Sequence, residues 1–155
     1  MTSLLAILRS ILIVTCLAVL AGCQTMGGAG LVSSSVTAEL TPKGASAISE
    51  DMVAKLAEQI GPGSTTIALR ADGSVFGAAL EASLRGWGYA VVTDQETGAS
   101  VTEPLAYVVD PFEGGLLVRL STQKAELTRM YVVTAEGATP ASPLSVMQRG
   151  PGETT

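Results

Sequence analysis

The chain has 155 residues, with 9 basic and 14 acidic side chains and no histidine, which gives a formal net charge of −5 at pH 7. This length allows one ordinary globular domain. The lack of histidine excludes His-dependent catalytic triads, imidazole metal sites and histidine pH switches. The acidic excess argues against direct binding to nucleic-acid phosphates, which requires clustered Lys and Arg.

Residues 1–22 have the composition of a secretory signal peptide. Arg9 supplies one positive charge, and residues 11–21 form an eleven-residue run that is almost entirely apolar. Such a run covers about half of the ~30 Å hydrocarbon core of a bilayer, whereas a spanning helix needs roughly 20 residues. We therefore expect a cleaved signal peptide. An uncleaved anchor over residues 4–21 is the alternative.

The end of this run resembles the lipobox of bacterial lipoprotein precursors. Leu20, Ala21, Gly22 and Cys23 provide an aliphatic residue, two small residues and a cysteine. The resemblance implies that Cys23 becomes the first residue of the mature chain and carries a diacylglycerol and an N-acyl chain. Gln24 stands where an aspartate would usually retain a lipoprotein in the inner membrane. By that rule the destination is the periplasmic face of the outer membrane.

The cysteine count leaves little redox or metal chemistry. Cys16 would leave with the signal peptide and Cys23 would carry the lipid, and the chain has only these two cysteines. No thiol then remains for a disulfide, a metal site or a nucleophile. We expect the mature chain to fold without a metal and to need no cofactor other than its covalent lipid.

The start of the mature chain reads as a tether followed by a helix. Residues 23–45 are rich in Gly and Ser, which predicts a lipidated cysteine followed by a flexible linker. Ser49 is the predicted N-cap of the first helix, and Gly61 begins the Gly-Pro-Gly stop. Ile48, Met52, Leu56 and Ile60 form its apolar stripe.

A second helix follows a short predicted strand at residues 65–69. Ser74 is its expected N-cap, the helix runs over residues 75–85, and Gly86 ends it. Glu81 and Arg85 stand at i,i+4 spacing, which allows a surface ion pair.

The pattern then changes to β. In one run Leu116, Val118 and Leu120 alternate with more polar neighbours, as expected for a half-buried strand. The sequence therefore predicts an α+β domain over residues 46–136, in which two helices pack on one face of a small, mainly antiparallel sheet of four or five strands. The strands after the second helix are predicted at residues 89–93, 105–110, 116–121 and 125–134.

Residues 137–155 read as a Pro/Gly-rich tail in which we expect no regular element. The tail holds a small apolar island with Leu144, Val146 and Met147. One interpretation is that this island docks on a partner protein by adding to the edge of its sheet. The other is that it folds back as an edge strand on its own sheet.

Two further motifs each allow a functional interpretation and a purely structural one. Trp87, between two glycines, could line an aromatic binding surface, but a tight turn in which it caps the core is favoured. Asp110 and Glu113 could form a carboxylate pair for a hydrolase, but a polar hairpin loop is favoured because no other catalytic groups lie nearby. The sequence contains no catalytic constellation, so we expect no enzyme activity.

Several segments together resemble the conjugal transfer protein TrbH family. They are the lipobox, residues 52–63, residues 76–91 and residues 138–147. The resemblance implies an outer-membrane lipoprotein that takes part, with other subunits, in the type IV secretion apparatus for plasmid transfer. Only Cys23 carries over as a functional residue. The alternative is a periplasmic lipoprotein that binds a small ligand or cell-wall polymer, for which an aromatic-lined pocket would be expected.

Overall fold

The computed structural model describes residues 33–63, 65–93 and 102–150. These residues form two helices and eight strands, which confirms the predicted α+β class. The helices are α1 (Pro42–Ile60) and α2 (Val75–Gly86), and neither is both long and apolar enough to cross a membrane. The strands are β1 (Ser35–Val36), β2 (Thr66–Leu69), β3 (Ala90–Thr93), β4 (Thr102–Phe112), β5 (Gly115–Ser121), β6 (Ala125–Thr134), β7 (Gly137–Pro140) and β8 (Ser145–Gln148).

The described strands form one mixed sheet with the order β3-β2-β4-β5-β6-β7, in which β1 also pairs with β4 and β8 with β6. β2 runs parallel to β3 and β4, and β1 runs parallel to β4. From β4 to β8 the pairings are antiparallel. The predicted sheet of four or five strands is thus too small and lacks the parallel part. Parallel neighbours are joined by long crossovers, so no hairpin signal marks them in the sequence.

Helix α1 begins earlier than predicted. Its N-cap is Thr41, whose side-chain oxygen accepts a hydrogen bond from the amide of Gly44 at 3.1 Å. Pro42 occupies the first helical position, where a missing N–H has no intrahelical partner to lose. Ser49, the predicted cap, lies inside the helix and is fully buried. Proline and glycine are also typical of linkers, which explains why the sequence pattern places the start too late.

The range predicted for the linker, residues 23–45, is therefore too long. From residue 33 onward this segment contains β1 and the first turn of α1, with Ala45 fully buried. Residues 23–32 lie outside the described part of the chain.

Helix α2 agrees closely with its prediction. The Ser74 side chain accepts a hydrogen bond from the Gly77 amide at 3.0 Å, as expected of an N-cap. Its apolar face, which includes Phe76, Leu80 and Leu84, is fully buried. The surface ion pair between Glu81 and Arg85 also forms, at 2.8 Å.

Both helices pack against the same face of the sheet. The predicted alternation in β5 is confirmed, since Leu116, Val118 and Leu120 are buried in this face. Val118 lies opposite Val109 of β4 on one side and Arg129 of β6 on the other. The buried side chains of α1, α2 and this sheet face form a single core.

The buried Tyr107 of β4 fixes the start of α2 over the sheet. Its hydroxyl donates a hydrogen bond to Asp72 Oδ1 at 2.5 Å, and its ring packs edge-to-face on Phe76 with centroids 5.2 Å apart. Burial, followed by the hydrogen bond to Asp72, raises the pKa of Tyr107 to about 12.

The tail also differs from its prediction. Instead of containing no regular element, it forms β7 and β8, which run antiparallel to two successive parts of β6. Each strand has four residues, too few to show a period between the flanking prolines. Their backbone hydrogen bonds are completed by β6, a partner that local sequence patterns cannot identify.

Candidate docking surface

Of the two groups of predicted functional residues, the structure describes only one. The lipobox residues Leu20, Ala21, Gly22 and Cys23 lie outside the described residues. The apolar island of the tail lies within them, because Ser145–Gln148 forms β8. The geometry of the C-terminal segment is therefore the geometry of the candidate site.

The three island side chains point to different environments. Leu144 packs against the domain core, whereas Val146 and Met147 are 37% and 53% exposed. Val146 lies opposite the buried Leu127 of β6, and Met147 lies opposite Glu126 on the other face. Folding back as an edge strand is thus the arrangement in the structure. Docking of this segment on a partner stays a prediction, now limited to its exposed side chains and outer edge.

Arg149 connects the end of β8 to the turn between β5 and β6 by hydrogen bonds. Its guanidinium donates to Ser121 Oγ at 2.9 Å, to the Thr122 carbonyl at 2.5 Å and to Glu126 Oε2 at 2.6 Å. Its backbone amide also donates to the Lys124 carbonyl at 2.7 Å. Hydrogen bonds to charged groups are stronger than neutral ones, so this cluster compensates for the little apolar area that β8 buries.

A second arginine, Arg129, connects the corner between β7 and β8 to the first helix. Arg129 donates to the Ser142 carbonyl at 3.0 Å and forms an ion pair with Asp51 of α1 at 2.9 Å. Tyr131 also donates to Asp51, and burial followed by this hydrogen bond raises the pKa of its hydroxyl. Asp51 and Arg129 are 78 residues apart, so no sequence spacing could have revealed this cluster.

Among the described residues no strand pairs with the outer edge of β8, and the segment that forms this edge is uncharged. The backbone amide of Arg149 faces β6. Because backbone groups alternate along a strand, the N–H and C=O groups of Ser145 and Met147 also face β6, and those of Val146 and Gln148 face outward. Residues 137–148 contain no charged side chain. Most exposed edges are protected by charges, prolines or bulges. In this segment Pro140 and Pro143 protect only the part before β8, so β8 can accept one further strand.

Trp87 does not cap the core as predicted. It is the C-cap residue of α2 and is 44% exposed, whereas the neighbouring Tyr89 is buried. The Tyr89 hydroxyl donates to the Gly61 carbonyl at 2.5 Å and joins the two helix ends. A turn with a buried aromatic residue is therefore present, but the buried ring is Tyr89.

The two acidic residues near the first hairpin lie in different parts of it. Asp110 lies in β4 and accepts a hydrogen bond from Thr37 at 2.6 Å, while Glu113 lies in the following turn with φ of 45°. Across residues 33–63, 65–93 and 102–150, no three Cys, Asp or Glu side chains come together as a metal site would require.

Comparison with known proteins gives the family. The family model described as "Conjugal transfer protein TrbH" matches residues 26–150. The chain is also 50% identical over 137 residues to a "Probable conjugal transfer protein TrbH" from Sinorhizobium fredii (strain NBRC 101917 / NGR234), and the match covers 85% of this chain and 92% of that protein. No solved structure matches. The chain belongs to the TrbH family of conjugal transfer proteins.

Proposed function

We propose that this protein is an outer-membrane lipoprotein, held on the periplasmic face by acyl chains on Cys23, and that it is a structural subunit of a conjugative type IV secretion apparatus. Its folded domain would bind other subunits of that apparatus and would have no catalytic role. It would contact the membrane through the lipid, and it would not contact the transferred DNA.

The position of the family match supports this proposal most directly. The match begins at residue 26, just after the lipobox cysteine at position 23. Leu20, Ala21, Gly22 and Cys23 therefore stand immediately before the region that defines the family. A conjugal transfer domain that directly follows a lipid-attachment motif is suited to fix part of the apparatus to a membrane.

The length of the connecting segment limits where the domain can work. Eleven residues, 24–34, separate Cys23 from β1. At no more than about 3.6 Å per residue, they reach at most about 40 Å. A partner subunit must therefore meet the domain close to the bilayer. This confinement raises its effective concentration and allows weak contacts to act.

The open edge of β8 is the proposed contact for an extended segment of a partner. Val146→Pro removes an outward N–H and leaves the bonds to β6 in place. We expect co-purification with other transfer proteins to fall and the melting temperature to change little. In the control Met147→Pro, the lost N–H faces β6, so the melting temperature should fall.

The lipid anchor is tested by Cys23→Ser in cells that carry the transfer genes. Mass spectrometry of the wild-type membrane fraction should show a chain that starts at Cys23 with added acyl groups, and the variant should lack them. Transfer should fall sharply in the variant. A lipidated Cys23→Ser protein, or full transfer after deletion of the gene, would contradict the proposed function.

A further inference from the structure

The sheet face opposite the helices is apolar at its hairpin end. Phe112 of β4 lies opposite Gly115 of β5, and Leu117 of β5 lies opposite Met130 of β6 in the next row. Val132 follows Met130 by two residues and so belongs to the same face of β6. Phe112 and Val132 are 45% and 44% exposed. We call this surface the hairpin patch, made of Phe112, Gly115, Leu117, Met130 and Val132.

A gap lies at the centre of the hairpin patch. Continuing the register of β5 and β6 by one residue places Gly115 between Phe112 and Val132, which sets these two side chains two strand spacings apart, about 9.6 Å. A Cβ atom at position 115 would press against the carbonyl oxygen of Tyr131. Only glycine fits there, so the gap between the two exposed side chains is a fixed feature of the fold. It has the width to receive one apolar side chain from another molecule.

The charges around the hairpin patch are acidic. Asp110 lies in the same row as Leu117, Glu113 lies in the turn after β4, and Glu136 lies in the turn after β6. Arg119 stands one row farther along the face, where it is 3.6 Å from Glu126. An anionic bilayer would be repelled by this rim. A second copy would place two acidic rims together, which is also unfavourable.

We propose that the hairpin patch binds a protein subunit of the transfer apparatus, which inserts one apolar side chain between Phe112 and Val132 and surrounds it with Lys or Arg. The apolar contact supplies affinity, and the complementary charges orient the two partners. This inference rests on the proposed function but uses a surface other than the β8 edge.

A photo-crosslinking residue at Val132 tests this contact in cells. The matched control is the same residue at Val75, an exposed valine on α2 that is 48% exposed. We expect an adduct at position 132 that requires the other transfer genes. Mass spectrometry should map it to a transfer protein, at an apolar residue flanked by Lys or Arg. An adduct with a second copy, with lipid, or of equal yield at position 75 would overturn the proposal, as would no adduct.

Two surface variants separate this proposal from the proposed function. Phe112→Ser and Glu113→Lys should each lower the adduct yield at position 132 at least about fivefold, as expected when an interface anchor or a complementary charge is lost. Trp87→Ser, a control at a similarly exposed aromatic residue, should leave the yield unchanged. Thermal melts of the purified variants verify that they fold.

Failure of the hairpin-patch proposal and failure of the proposed function give different experimental results. If gene deletion abolishes transfer while Phe112→Ser and Glu113→Lys leave adduct yield and transfer at wild-type levels, the hairpin-patch proposal is wrong and the proposed function stands. If gene deletion leaves transfer intact, the proposed function fails, and this inference fails with it.

Discussion

At the residue scale, the buried hydroxyl groups show how the core tolerates polar atoms. Tyr89, Tyr107 and Tyr131 are at most 3% exposed, and their hydroxyls donate to Gly61, Asp72 and Asp51. Ser49 differs, because its side-chain oxygen is buried in α1 and has no hydrogen-bond partner among the described residues. A buried polar group without a partner costs free energy.

Ser49→Ala should therefore raise the free energy of unfolding by about 1 kcal/mol, since it removes the unpaired hydroxyl and improves helix propensity. Thermal or urea unfolding would measure the change. Ser83→Ala is the contrasting variant, because the Ser83 hydroxyl donates to the Ser49 carbonyl at 3.3 Å. It should give no comparable gain. A lower stability for Ser49→Ala would mean that the hydroxyl has a favourable contact.

Two glycines of α2 should respond in opposite ways to the same substitution. A Cβ at Gly77 would overlap the hydroxyl oxygen of Tyr107, whereas a Cβ at Gly86 meets no atom within 4 Å. We expect Gly77→Ala to lower the free energy of unfolding by about 1–3 kcal/mol. Gly86→Ala should leave it unchanged or raise it by up to about 1 kcal/mol.

Chemical denaturation of both glycine variants would measure the difference. Tyr107→Phe in the Gly77→Ala background removes the overlapping oxygen, so it should cost less stability than Tyr107→Phe alone. Simple additivity of the two substitutions would contradict the proposed clash.

At the element scale, local sequence signals predicted some elements and missed others. Helix α2 was predictable because its cap, apolar stripe and terminal glycine are all local. The start of helix α1 is predicted too late, because Thr41 and Pro42 also fit a linker. The position of β2 between β3 and β4 was not predictable, since its register joins Ile67 to Val91 and Glu103. Such pairings depend on packing between distant segments.

The same reasoning applies to the candidate docking segment. Its apolar side chains are predictable from the sequence. So are the two alternatives for them, which are docking on a partner protein and folding back as an edge strand. The choice between them depends on Arg129 and Arg149, which bind the tail through tertiary contacts. A lone arginine in a sequence gives no sign of its partner.

Arg149→Ala should loosen β8 without unfolding the domain. The substitution removes three side-chain hydrogen bonds, one of which is also the ion pair to Glu126, and we expect a loss of about 1–3 kcal/mol. Hydrogen exchange should become faster in β8, while β4 and β5 stay protected. Lys55→Ala is the control, because its exposed pair with Glu58 should contribute less than about 1 kcal/mol. Equal effects would contradict the role of Arg149.

At the scale of the whole molecule, the two proposed contacts lie at opposite ends of β6. Strand β8 pairs with residues 125–128 of β6 and carries the first contact on its outer edge, whereas Val132 of the hairpin patch lies near the other end of β6. The chain enters the sheet at a third place, where β1 pairs with Val108 and Val109 of β4. Because neither proposed contact covers the other or the edge where β1 enters, the domain can bind two partner segments at once.

The stability of the whole domain should fall at alkaline pH because of its tyrosines. Burial raises the pKa of Tyr89, Tyr107 and Tyr131 above the ordinary value of 10.0, to about 12 for Tyr107. A raised pKa means that the folded state holds a proton that the unfolded state releases. The stabilisation is therefore complete below pH 10 and is lost as pH rises toward the folded-state values.

Each tyrosine that is neutral when folded and ionised when unfolded should lower the free energy of unfolding by about 1.4 kcal/mol per pH unit above pH 10. The chain has three tyrosines, all buried, so tyrosinate absorbance should appear together with loss of the folded circular dichroism signal. In Tyr107→Phe the slope of stability against pH should be shallower, since one of the linked protons is gone. Tyrosinate absorbance that develops near pH 10 in a protein that stays folded would contradict this account, because it would require an accessible hydroxyl.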